Sequence, residues 1–108
     1  MTCSQLAKEL DFEILNLEDG DREITGGYTG DLLSWVMSRA KAGDLWVTIM
    51  TNVNTVAVAS LTDVACVVIA ENAEVSQDVI DKANAQGINL FRTARSSFEV
   101  CRKVHFDE

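Results

Sequence analysis

At 108 residues, with 47% hydrophobic and 24% charged side chains, the chain has the make-up of a single folded domain and not of a disordered segment. Nine basic against seventeen acidic residues leave a net charge of −8, which repels nucleic acid and anionic membrane at long range and argues against either as a partner. No apolar run approaches the ~20 residues of a membrane helix, and the N-terminal MTCSQLAKEL lacks a signal-peptide layout, so a cytoplasmic location is expected.

With no proline in the chain, Gly, Asn and Asp have to supply the turns. Thr2 or Ser4 starts a short helix to about Leu10, and residues 12–16 (FEILN) read as a strand. LEDGD (17–21) is a turn in which Gly20 is free to take a positive φ, and REITGGY (22–28) is a second extended piece. From Asp31 the period changes. Leu33, Val36, Met37 and Ala40 form one helical stripe, with Asp31 as N-cap and Gly43 as the left-handed stop. LWVTIM (45–50) is a short buried strand, and residues 53–61 form a small-residue helix capped by Asn52 or Thr51.

VACVVIA (64–70) is the most apolar run and predicts a central strand covered on both faces. Ser76 opens a helix to Gln86 that Gly87 ends, INLFR (88–92) is a strand, and Ser96-Ser97-Phe98-Glu99 predicts a capping box on a last helix to about Val104. From residue 45 the order is β-α-β-α-β-α. The fold expected is therefore a single α/β domain over 1–108, three-layer α/β/α-like, with a mainly parallel central sheet. Leu45, Val47, Ile49, Val67 and Ile69 are its predicted core.

Three cysteines at wide spacing suit neither a disulfide framework nor a zinc site. Cys66 and Cys101 read as small core hydrophobes, and a reducing compartment follows. The single histidine, His105, lies near the C-terminus with no G-x-S-x-G serine, and no carboxylate spacing gathers a metal site. No catalytic residue, metal or cofactor is expected.

The glycines of ITGGYTGD suggest a phosphate cradle, but the Walker pattern is absent and Asp31 would occupy the anion position itself. A tight strand-to-helix junction, with Arg22 pairing nearby acids, is the better reading. Ligands of parallel sheets collect at the carboxyl ends of strands. Those ends place Thr51, Asn52, Asn54, Asn72, Arg92, Thr93, Arg95, Ser96 and Ser97 as candidate ligand-binding residues. Two arginines and a capped helix start make the last loop a candidate anion site, unless these groups satisfy only their own backbone. Tyr28, Trp35 and Trp46 sit near the glycine-rich junction as candidate aromatic anchors of a two-fold homodimer that includes residues of 22–36.

Asp21-Arg22-x-x-Thr25-Gly26-Gly27, Gly30-Asp31-Leu32-Leu33, Gly43-Asp44-Leu45-Trp46-Val47 and Ser96-Ser97-Phe98-Glu99 together resemble the DRTGG domain family over essentially the whole chain. The chain departs from that pattern at Asn52, where many members carry histidine. The family accompanies CBS pairs in regulated pyrophosphatases and is similar to the N-terminal domain of HPr kinase. More distantly it is similar to the UDP-binding domain of muramyl ligases. The resemblance implies a non-catalytic regulatory or accessory module that dimerises, senses a small ligand or a protein partner, and acts in trans. Stand-alone copies occur in anaerobes near hydrogenase and signalling genes, which implies partners of that kind. A nucleotide- or phosphometabolite-binding domain is the alternative.

Overall fold

Every residue of 64–70 is buried, and the sheet is built outward from this run. The computed structural model describes residues 1–106. In chain order the elements are α1 (Cys3–Glu9), β1 (Glu13–Asn16), β2 (Gly26–Thr29), α2 (Leu33–Arg39), β3 (Asp44–Thr48), α3 (Val53–Thr62), β4 (Cys66–Ile69), α4 (Gln77–Gln86), β5 (Leu90–Arg92) and α5 (Ser97–Lys103). The five strands lie in the order β1-β5-β4-β3-β2, so β4 is central as expected. Strands β2 to β5 are parallel, and β1 pairs antiparallel with β5 at one edge.

Alternation along each strand sorts the core into two layers. Leu45, Val47, Cys66, Val68 and Phe91 pack with Leu6 of α1 and Val100 of α5. Trp46, Val67, Ile69 and Leu90 pack on the other face against Val36 of α2, Val56 of α3 and Ala83 of α4. The result is the three-layer α/β/α arrangement.

Several local expectations are corrected. Ile49 is 44% exposed, because β3 ends at Thr48 and its last predicted residues turn out over the sheet end. Met37 of the α2 stripe is exposed as well, on the side facing α3. Gly20 does not take a positive φ; its lack of a Cβ matters because one there would lie 2.0 Å from the Ser4 Oγ. Helix α2 ends at Arg39, so Gly43 (φ 86°) is not its stop but the turn into β3. Cys101 is exposed and not a core residue. Glu99 does not return a bond to the Ser96 backbone: the Ser96 hydroxyl accepts from the Glu99 N–H and lies 3.4 Å from its carboxylate, which leaves half a capping box. At the other end of the chain Thr2 and Gln5 form a complete one.

Candidate functional site

The glycine-rich motif lies at the amino end of the parallel strands. Arg22 donates from Nη1 to the Asp63 carboxylate at 3.1 Å and from Nη2 to the Asp63 carbonyl at 2.9 Å. Asp63 is the left-handed C-cap of α3 (φ 57°), and its carbonyl also accepts from Gly43 N. Arg22 thus ties the segment before β2 to the end of α3, the acidic pairing expected of it. Its hydrogen bond to Asp63 raises its already high pKa.

Neither Gly26 nor Gly27 has a positive φ, contrary to the expected strained junction. Gly26 is needed for close approach, since a Cβ there would sit 2.7 Å from Asp44 Oδ1. Thr25 presses on Gly43 in the same way, 2.3 Å from where its Cβ would be. Asp21 contributes its N–H to the Asp19 carboxylate at 3.2 Å, a bond within the turn. Asn89 escaped the sequence reading altogether. Buried in the sheet's amino end, its amide accepts from Glu18 N and Asp19 N and donates to Asp19 O and Ala65 O. A lone Asn before an apolar strand gives no sign of that role.

Asp31 lies at the opposite, carboxyl end. It does not cap α2, whose N-cap is Leu32 without a side-chain bond. Its carboxylate accepts from Thr48 and Ile49 instead, and ties the end of β2 to the end of β3.

The carboxyl ends of the strands hold the second set of candidates, and the structure divides them. The connections after β4 and β5 leave for opposite faces, to α4 and to α5, which is where a crevice is expected in such sheets. The two loops zip across it: Glu71 N donates to Arg95 O at 2.8 Å, and Asn72 N to Thr93 O at 2.9 Å. Glu71 and Asn72 are both left-handed, with φ 60° and 54°, to permit this.

Beside the zipped loops lies a cleft of about 470 Å³ lined by Thr51, Glu74, Val75, Ser76 and Arg92. Arg92 donates from Nη2 to the Asn72 carbonyl at 3.0 Å and lies 3.6 Å from Glu13 Oε2. Its Nε–H is buried with no acceptor among the described residues. Ser76, the N-cap of α4, makes no side-chain cap bond. The cleft therefore combines a guanidinium, two hydroxyls and a helix start, with Glu74 as the opposing acid.

The other candidates are spent elsewhere. The Arg95 guanidinium donates to the carbonyl of Leu10, the C-cap of α1, so the two arginines do not converge. Asn52 caps α3 through Asn54 N at 2.8 Å, and Ser96 caps α5. Thr93 is buried and accepts from Arg95 N, while Ser97 opens α5 half-buried. Asn54 lines a separate groove between α2 and α3. Glu74 and Ser76 were missed as cleft residues; Ser76 was visible only as a cap.

Of the aromatic candidates, Trp46 is fully buried and donates Nε1–H to Gly30 O at 3.0 Å, so it cannot anchor an interface. Tyr28 is half-buried against the α2–α4 layer. Trp35 is 52% exposed, with the Arg39 guanidinium stacked 3.9 Å from its ring centre.

Residues 5–106 match the family model described as the DRTGG domain. The chain belongs to the DRTGG domain family. Among solved structures this DRTGG domain is similar to the CBS and DRTGG domains of the regulatory region of Clostridium perfringens pyrophosphatase, a structure complexed with the activator diadenosine tetraphosphate. The TM-score is 0.74 at 15% identity, and the match covers 94% of this chain but 44% of that one. At that identity the likeness is one of fold. No curated protein matches the sequence. Among the described residues no helix is long and apolar enough to cross a membrane, and no group of His, Cys, Asp or Glu is placed to hold a metal ion.

Proposed function

We propose that this DRTGG domain is a non-catalytic regulatory module of the cytoplasm that senses a small anionic ligand in the Arg92 cleft. It dimerises and passes the bound state on to a partner in trans. The observation that carries the reading is Arg92 on the wall of a cleft that also offers the Thr51 and Ser76 hydroxyls. An anion in the cleft would pair with the guanidinium and accept from the two hydroxyls. The chemistry fits a phosphate-bearing ligand. The related pyrophosphatase region, complexed with a dinucleotide polyphosphate activator, lends support by kind of ligand and by its regulatory role.

Thermal denaturation against a panel of diadenosine tetraphosphate, UDP, other nucleotides and inorganic phosphate tests this, since a ligand bound to the native state raises Tm by mass action. At least one phosphorylated compound is expected to raise Tm, and Arg92→Met is expected to abolish the shift. A panel without effect, or an effect that survives Arg92→Met, removes the cleft as the sensor.

A further inference from the structure

Helix α3 stands apart from the other four: it has no ionisable side chain, and none occurs anywhere from Leu45 to Thr62 in a chain of net charge −8. Its solvent side carries exposed apolar chains, Val53 at 42% and Leu61 at 72%, between the neutral polar Asn54 and Ser60. Beside it runs a groove of about 700 Å³ against α2, lined by Leu33, Ser34, Met37, Asn54, Ala57 and Val58. Met37 is 48% exposed at its margin. Small residues with two protruding apolar chains make a surface suited to helix-on-helix packing.

We infer that the α2–α3 face is where two copies of this domain meet, helices antiparallel, about a two-fold axis lying in the interface and perpendicular to the helices. The inference rests on the dimeric reading above and adds its location. The charge distribution selects a second copy as the occupant in two ways. First, two chains of net charge −8 repel each other, and the penalty is least where the apposed surface carries no charge. Second, α2 has Asp31 just ahead of it and Arg39 and Lys41 at its far end. Both helices follow parallel strands, so α2 and α3 point the same way. An antiparallel copy sets Arg39 and Lys41 opposite the Asp31 end of its mate, twice over by symmetry; a parallel copy would oppose like charges. Among the described residues, Arg39 and Lys41 form no ion pair within the protomer.

Sedimentation of the full chain at high micromolar concentration is the test, with Leu61→Glu and Met37→Glu as variants whose exposure lets them fold. The wild type is expected to be dimeric, both variants monomeric, and Phe98→Glu on the α5 side dimeric still. Lys41→Glu is expected to weaken the dimer at low salt and much less at high salt, where screening removes the repulsion. A monomeric wild type overturns the dimer itself, and with it this face. A dimer indifferent to both Leu61→Glu and Met37→Glu overturns the face alone. Indifference to Lys41→Glu at low salt overturns the antiparallel arrangement.

Discussion

Asp31 holds Thr48 across neighbouring strands: its Oδ1 accepts the Thr48 hydroxyl at 2.8 Å and the Ile49 N–H at 2.9 Å. Thr48 is fully buried, and its hydroxyl also accepts from Met50 N at 3.2 Å. One carboxylate thus organises the loop after β3. Asp31→Ala is expected to cost about 1–3 kcal/mol in urea unfolding, because a buried hydroxyl loses its acceptor. Asp31→Asn retains an acceptor oxygen and is expected to cost less.

The core prediction separates two isoleucines of similar sequence context. Ile69 is 1% exposed at the centre of the sheet, and Ile69→Ala is expected to lose about 2–5 kcal/mol. Ile49, 44% exposed, is expected to lose less than about 1 kcal/mol on the same change. Equal losses would contradict the strand boundary at Thr48.

Among the glycines, position decides the outcome. Gly43→Ala meets both a positive φ of 86° and the Thr25 side chain, and a clear fall in Tm is expected. Gly27→Ala, whose new methyl would lie 3.6 Å from the Leu45 carbonyl, is expected to be close to neutral. Differential scanning calorimetry of the two variants checks the contrast.

Arg22→Ala removes a bidentate contact whose side chains are 32% and 67% exposed, so screening keeps the loss to about 0.2–1 kcal/mol. A much larger loss, or a loss of ligand response without loss of stability, would assign the motif arginine a task beyond fastening α3.

The thiols predict a pH dependence. Hydrogen bonding with Cys3, together with complete burial, holds Cys66 well above the ordinary thiol range. In the unfolded chain the same thiol ionises near its usual ~8.5, so above that pH the unfolded state gives up a proton that the native state keeps. Stability from Cys66 is therefore full below about pH 8.5 and falls above it, by roughly 1.4 kcal/mol per pH unit for one proton. Cys3, whose pKa the same hydrogen bond lowers, works in the opposite sense and gains stability as the pH rises toward the ordinary thiol range. Urea midpoints at neutral and alkaline pH should diverge for the wild type and less so for Cys66→Ala. A thiol reagent should reach Cys101 in the native protein, and Cys3 and Cys66 only on unfolding.

Legibility in the sequence followed the physics of each element. The run 64–70 announced a central strand because a strand covered on both faces must be apolar at every position. Asn52, Ser96 and Gly87 were readable as helix ends because their chemistry is local. Trp46 was not, since an aromatic ring beside a glycine turn looks the same whether it points into the core or out. The two arginines of the β5 loop looked like a pair, but β5 ends between them and sends their side chains to Asn72 and to Leu10. The role of Asp31 depends on a strand that follows it in sequence by more than a helix, and no local rule reports such a contact. The cleft joins Thr51, Ser76 and Arg92 from three separate connections, a meeting that only the completed sheet defines.

The strand order has a kinetic consequence. Strands β2 to β5 are neighbours in space in the order in which they occur in the chain, so each crossover closes a modest loop. Strand β1 alone waits for a partner, β5, that lies almost the whole chain away. Assembly of the parallel array can therefore precede the docking of α1 and β1, and the amino-terminal hairpin of contacts is the piece that closes last and opens first. Destabilising changes in β1, such as Leu15→Ala, which removes a side chain packed on the core, then act on the unfolding rate and leave the folding rate nearly untouched.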